Sequence, residues 1–584
     1  IYYFFAMKNF NFFILLFLFL GAILLPESVD AKKIDRDRVV ANPIDLNYRF
    51  QIESPSRREA ADPVIEMFKG KYYLFASKSE GYWSSPDLIE WTYIPTKTIP
   101  TIEDYAPIII PMDDALYFMA SSTKSRIFKN SNPDKDEWTE VKLQLKQGTH
   151  DPTFFLDDDG RFYLYWGCHD KNPIQGVELD PKNGFKEIGE VKDLIFHKAD
   201  QYGLEVPGDK NEQNKNGWNE GPTMTKHNGL YYLQYAAPGT QFITYADAVY
   251  VSENPLGPFT YMEDNPYSIK PGGFISGAGH GHTFQDKYGN YWHVATMVVS
   301  IRHWFERRLG LFPVYFGDKG HMYCHTVFTD YPMQIPDKKV DFAKDDLSVG
   351  WNLLSYKKKV SASSFQQGYE AGNAVDENIK TWWASQSGRS GEWLQIDLGR
   401  TMQVEAVQVN ISDQDFETLR KDAAPVYRYV LESSCDGKNW QMIGDRRKND
   451  RDAVHELLVL DRPVSARYIR IKNTEDLDGG VFSLSGLRVF GTGKGKAPSA
   501  VTGFKAVRNA NDRRRASFRW DSQGETTGYV IRWGTSPKVQ NNAVMVYGDE
   551  AEYGFFNRDS RYYFTIQPFN ENGKGKISKV ISVE

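Results

Sequence analysis

The sequence predicts an all-β protein, a five-bladed β-propeller followed by two β-sandwich domains. Three observations point there. One short turn-strand motif recurs five times, the aromatic share of 14% is high and suits β-rich packing or sugar stacking, and the C-terminal part alternates apolar and polar residues in short runs. At 584 residues the chain is too long for one hydrophobic core and is expected to divide into several domains.

The first element is a leader. Met7-Lys8, the apolar run Phe12 to Leu25 and "PESVDAKK" have the layout of a secretory signal over residues 7–31, with a cut after Ala31. The mature chain is expected to begin near Lys32, and the six residues before Met7 read as an artefact of an assumed translation start. The apolar run is short for a membrane span, and no Cys follows it to take a lipid anchor. A secreted or periplasmic protein is expected, without membrane insertion of the mature form.

The propeller is expected over residues 42–336. "GKYYLFAS", "DALYFMAS", "GRFYLYWG", "GLYYLQYA" and "GNYWHVAT" each join a polar turn to an aromatic strand. At a matching site in the strand before each repeat stand Asp62, Ala106, Asp151, Glu220 and His280. Rotational symmetry brings equivalent positions to the propeller axis, so three carboxylates and a histidine are expected to face one cavity. A lone Asp before Pro is usually a turn former, and Asp157, Asp158 and Asp159 read that way, as a solvated hairpin. Ala106 shows that the repeat itself requires no acid, so three acids at one repeat position call for another explanation.

Composition narrows the partner. A net charge of −6 gives no footprint for nucleic acid, and a neutral partner fits better. Cys168, Cys324 and Cys435 lie far apart, which writes neither a disulfide framework nor a zinc cluster and reads as buried free thiols. Carboxylates across a small cleft are the apparatus of glycoside hydrolysis: one protonates the leaving oxygen and the other activates water or attacks carbon. A third negative charge keeps the proton donor protonated.

On "ADPVI", "HDPTFFLDDDG", "NEGP", "SSPDLIEW", "GAGH" and "RRLGLFPVYF", residues 42–336 resemble glycoside hydrolase family 43. The resemblance implies Asp62 as general base, Asp151 as the residue that tunes the acid and orients substrate, and Glu220 as general acid. It also implies inversion at the anomeric carbon, with Asp62 and Glu220 about 6.5–9.5 Å apart. The substrate is expected to be a poly- or oligosaccharide, cleaved at a furanoside or pentoside linkage as by an α-L-arabinofuranosidase or β-xylosidase. A β-galactofuranosidase is the alternative, and a glycan-binding propeller without catalysis is the alternative of another class. Trp83, Trp218, His280 and Arg308 are the candidate substrate contacts. No cofactor is required. Calcium is the metal implied at the axis near His280, where the other reading is a hydrogen-bonded core histidine.

Residues 352–491 resemble a discoidin-type (coagulation factor type C) β-sandwich, as in family 32 carbohydrate-binding modules, on "NAVDENIKTWWAS", "EWLQIDLG", "YVLESSCDGKNW" and "LSGLRVFG". Trp383 matches its core tryptophan, Trp382 is the candidate exposed neighbour, and Asp376 coincides with a calcium-binding turn. After the linker "GTGKGKAPSA", residues 499–584 resemble a fibronectin type III domain, with the role of a spacer or docking surface. Removing both sandwiches is expected to leave small-substrate hydrolysis intact.

Overall fold

The structure, a computed structural model, describes residues 34–51, 55–416, 425–521 and 524–583. The leader-like segment 7–31 lies outside the described residues. Strands and a few short 3-10 turns make up the regular structure of these residues, and no helix among them is long and apolar enough to cross a membrane.

Each aromatic repeat forms the second strand of a small antiparallel sheet, because its alternate residues pack against neighbouring sheets on both faces. The innermost strands of the five sheets are Ala61–Phe68, Ile108–Met112, Thr153–Leu156, Asn219–His227 and Ser276–Gln285. Each touches the next in chain order and the last touches the first, closing a ring. The five-bladed propeller expected from the repeats is therefore present. Val39–Val40 pairs with Met333–Gln334, tying the chain before the first blade to the segment after the last. Aromatic residues such as Phe75, Phe118, Phe154 and Phe162 fill the layer between the first three blades.

The repeat also has a function not visible in its letters. In three of the five repeats the last residue caps the axial residue of the next blade: the Ser77 hydroxyl accepts from the Ala106 amide at 2.7 Å, and Ser121 accepts from the Asp151 amide at 2.7 Å. Thr296, ending the fifth repeat, accepts from Asp62 at 2.8 Å and so joins the last blade to the first.

The second domain is a sandwich of eight hydrogen-bonded strands. Its two longest, Trp393–Ile411 and His455–Asn473, shift register near Asp397 and again near Val404, the bulge geometry that bends a strand. Trp383 is fully buried in its core, as expected. The third domain packs a sheet of Lys505–Arg508, Ala516–Arg519 and Glu550–Tyr553 against a sheet built on Gly528–Gly534 and Tyr562–Asn570.

Both sandwiches pack against the propeller. Arg58 of the propeller is buried between Asp413 (2.6 Å) and Asp452 (2.8 Å) of the second domain. One apolar cluster runs from propeller residues Leu74 and Trp292 to Leu394 and Val407, and another joins Tyr163 and Leu233 to Trp533 and Phe556 of the third domain. Buried ionic contacts cost several kcal/mol to break when one partner is removed, so these interfaces are part of the fold.

Candidate active site

The axial residues share an uncommon backbone. Asp62, Ala106, Asp151 and His280 have φ of 51°, 42°, 52° and 45°, in the left-handed region that side chains usually avoid. In the fourth blade the residue in this conformation is Gly221, at φ 56°, and not Glu220. The prolines Pro63, Pro107, Pro152 and Pro222 follow these residues directly, so Gly221 is the true structural equivalent of Asp62 and Glu220 precedes it by one. The repeat alignment is corrected accordingly. Glycine is required at 221, because a Cβ there would lie 2.5 Å from the His280 ring. Register shifts fall beside Asp62, Glu220 and His280, so each of these side chains is aimed by a bulge. Strained residues of this kind cost about 1–3 kcal/mol each and persist where the surroundings over-determine them.

Asp62, Asp151, Glu220 and His280 meet in one cavity of about 430 Å³, together with Arg307 and Cys168. Asp62 accepts from the Ser77 hydroxyl at 2.6 Å and from Arg307 at 3.3 Å, and His280 Nδ1 lies 3.3 Å from it. Asp151 accepts from Ser121 at 2.9 Å and lies 3.8 Å from the same His280 nitrogen. Glu220 accepts from the Tyr245 hydroxyl on one oxygen and from the Cys168 thiol, at 3.4 Å, on the other. Donor atoms of Asp151, Cys168 and Glu220 all lie within 4.8 Å of one another.

These surroundings drive the carboxyls apart. Burial pushes Asp62 up, but Arg307, His280 and hydrogen bonds from Ser77 and Thr296 outweigh it and hold the group below its ordinary value. For Glu220, burial and then the negative charge of Asp151 act together and push it up to about 7, with His280 and Tyr245 offsetting only part. Asp151 is itself raised by burial, with His280 opposing and Asp62 adding to the shift. Burial works against a charge on His280, yet Asp62, Asp151 and Glu220 together outweigh it and favour the imidazolium. One pocket thus holds a carboxyl that stays ionised at neutral pH and another that still keeps part of its proton there.

Several expected contacts fall elsewhere. Trp83 is fully buried among the blade packing and offers no face to a sugar, because both faces of its strand are covered. Arg308 is buried and directed at the second domain, donating to His455 Nε2 at 2.8 Å. Its neighbour Arg307 takes the place in the pocket, since successive strand residues point to opposite faces. Trp218 is 43% exposed beside His169, outside the residues that line the cavity.

His280 Nδ1 is engaged by the Asp62 and Asp151 carboxylates, as a core histidine would be, and an imidazole nitrogen is not a direct calcium ligand. Asp376 closes its own turn onto the Asn378 amide (3.0 Å) and Thr381 hydroxyl (2.6 Å), while adjacent Glu377 pairs with Arg488. Among the described residues the one convergent set of metal-type ligands is Asp151, Cys168 and Glu220, without His280 or Asp376.

Sequence reasoning missed Arg307, Tyr245 and Cys168. Tyr245 and Cys168 stand outside the repeats. Cys168 reaches Glu220 because the two-residue strand Cys168–His169 pairs with Asn219–Glu220, a pairing with no local signature.

Residues 55–322 match the family model for glycosyl hydrolases family 43, and residues 359–485 match that for the F5/8 type C domain. A beta-D-galactofuranosidase (xynD) of Aspergillus niger is 28% identical over 260 residues, covering 38% of this chain and 68% of that protein. A beta-xylosidase of Xylanibacter ruminicola is 31% identical over 133 residues, covering 19% of this chain and 39% of that protein. A solved structure described as a glycoside hydrolase aligns with a TM-score of 0.44 at 21% identity, over 74% of this chain and 97% of that one.

Proposed function

We propose that the propeller, whose residues 55–322 match the family 43 glycosyl hydrolase model, hydrolyses furanoside or pentoside linkages of a poly- or oligosaccharide with inversion. The carrying observation is the opposed electrostatics of Asp62 and Glu220 within one cavity. Glu220 is the general acid: it holds its proton to about pH 7 and gives it to the leaving oxygen. Asp62 is the general base, kept ionised by Arg307 and His280 so that it removes the proton from the attacking water. Asp151 raises Glu220 through its charge and hydrogen-bonds the sugar. Tyr245 and Cys168 orient the Glu220 carboxyl from two sides.

An α-L-arabinofuranoside or β-xyloside is the substrate put forward, and the Aspergillus relative supports a β-galactofuranoside as the second reading. The discoidin-type domain binds glycan, the C-terminal sandwich is of the fibronectin type III kind, and the leader directs the protein out of the cytoplasm. Hydrolysis of a panel of nitrophenyl furanosides and pyranosides by wild type, Glu220→Ala and Asp62→Ala tests the assignment. Turnover of at least one glycoside by wild type, lost in both variants, is expected. Glycan binding with no turnover of any member overturns the reading in favour of a lectin.

A further inference from the structure

Three segments of the chain bring a thiol between two carboxylates in the axial cavity. Asp151 stands just ahead of the strand Thr153–Leu156, Glu220 lies in Asn219–His227, and Cys168 is on the two-residue strand that pairs with Asn219–Glu220. Cys168 Sγ is 3.4 Å from Glu220 Oε2, and one donor atom from each of the three residues lies within 4.8 Å of the other two. Both acids are held from behind: the Ser121 hydroxyl donates to Asp151 at 2.9 Å, and the Tyr245 hydroxyl donates to the other oxygen of Glu220.

A thiol has one proton to give, and both Glu220 and Asp151 are within hydrogen-bonding reach of Cys168. One carboxylate therefore lacks that donor at any moment. Burial and the two carboxylates push the Cys168 thiol far up, while the charge of Asp151 raises Glu220, so the three groups crowd negative charge that none of them can relieve. The cations of the cavity answer it only in part: His280 Nδ1 lies 3.3 Å from Asp62 and 3.8 Å from Asp151, and Arg307 pairs with Glu59 and Asp62. A thiolate and two carboxylates are a donor set for a divalent ion with affinity for sulfur. Zinc takes sulfur at about 2.3 Å and carboxylate oxygen at about 2.0–2.2 Å, and three protein ligands leave its fourth position to water. Calcium and magnesium prefer oxygen ligands alone, so the thiol discriminates against them.

We propose that Asp151, Cys168 and Glu220 bind a divalent ion of the zinc or cadmium kind, and that this ion is a reversible inhibitor of the propeller. The ion replaces the proton of Cys168 and that of Glu220, both of which pass to solvent, and bonds to the thiolate sulfur and to one oxygen of each carboxylate. Glu220 then has no proton to give a leaving oxygen. The ion site stands by itself, and the inhibition rests on the hydrolase reading above.

Cadmium is the probe, because a thiolate bound to it absorbs in the ultraviolet. The full chain carrying Cys435→Ser is titrated, a change that removes the exposed thiol and leaves Cys168 and the buried Cys324. One equivalent of cadmium is expected to bind, with appearance of the thiolate band. In the same background Cys168→Ser is expected to lose the band, and Asp151→Asn and Glu220→Gln each to weaken binding about tenfold or more, with thermal unfolding showing that each variant is folded. Absence of the band before Cys168 is changed, or its persistence in Cys168→Ser, overturns the site. So does unchanged affinity in both carboxylate variants, which would mean a thiol acting alone. Turnover of the best nitrophenyl glycoside reads the inhibition: saturating zinc is expected to lower it about 10²-fold or more, the scale of a lost general acid, with recovery on adding EDTA. Full turnover with the site loaded overturns the inhibition. If wild type hydrolyses no member of the panel, the hydrolase reading fails, and the cadmium titration still decides the site.

Discussion

Two connections lead into strands that line the axial cavity, and the two appended domains hold them in different ways. The segment from Ala199 to Gly217, which leads into the strand carrying Glu220, is hydrogen-bonded at its N-terminal end to the C-terminal sandwich. The Gly203 amide donates to the Phe556 carbonyl at 3.1 Å, the Arg558 amide to the Gln201 carbonyl at 2.9 Å, and Arg514 to the Ala199 carbonyl. Within the segment, Glu205 is fully buried, accepting from Tyr235 at 2.7 Å and the Lys198 amide at 2.6 Å, while its own carbonyl accepts from the Gly217 amide at 2.7 Å. Burial raises its carboxyl to about 7. The 300–306 loop is gripped instead by the Arg302 guanidinium, which donates to the Ser412 carbonyl at 2.7 Å and lies over the ring of Trp382, expected to be exposed and here buried. The first segment is buried from Tyr202 to Gly208 and mostly exposed over residues 209–216, whereas the 300–306 loop leaves Trp304 69% exposed. The charge-rich composition of the first segment gives no sign of this docking.

The contrast is sharpened by variants, beginning with the acid that the first connection serves. Glu220→Gln is expected to lower kcat about 10²–10⁴-fold, the range of a lost general acid, and steady-state kinetics on an unactivated glycoside reads it. Next in size, Arg58→Ala leaves Asp413 and Asp452 buried without their cation, an expected loss of about 3–5 kcal/mol in thermal or denaturant unfolding. An unchanged melting temperature would break the claim that the second domain is docked. Gly203→Ala places a Cβ 1.8 Å from the Gly554 carbonyl oxygen, for which about 1–3 kcal/mol of overpacking strain is expected. If the segment positions Glu220, kcat also falls alike for every substrate. Lost stability with undiminished kcat would reduce the segment to packing alone.

A smaller effect concerns pH. Activity requires protonated Glu220, so kcat/KM falls as pH rises through about 7. Asp151→Asn removes a charge that opposes ionisation of Glu220, so the basic limb moves to lower pH; a limb that stays or moves upward contradicts the assigned role. Least of all, Arg302→Ala is expected to alter stability by under about 1 kcal/mol, since its contacts are only partly buried.

How much of this was legible follows from the range of each interaction. The ring of blades was written in the five repeats, and Asp62 and Asp151 stood out because Pro follows each in a repeated frame. Glu220 was recognised for its chemistry but misaligned by one, because only backbone conformation reveals that Gly221 fills the left-handed position. Arg308 in place of Arg307 is the same one-residue error on a strand, where it reverses the face. Asp157 read as a solvated turn, yet it is buried against Lys226 and Tyr231, which come from the next blade. Domain docking left no local trace: the partners of Arg58 lie 355 and 394 residues away, and its segment "SRREAADP" has the composition of a surface.

The hydroxyl of Thr296 that secures the Asp62 amide has a temporal side. It arrives 234 residues later in the chain, so during synthesis Asp62 waits, its amide unclaimed, until the final sheet has been made. A ribosome-bound chain ending before that sheet already contains all three acids and still lacks the latch that holds one of them, so competence arrives only when the circle shuts.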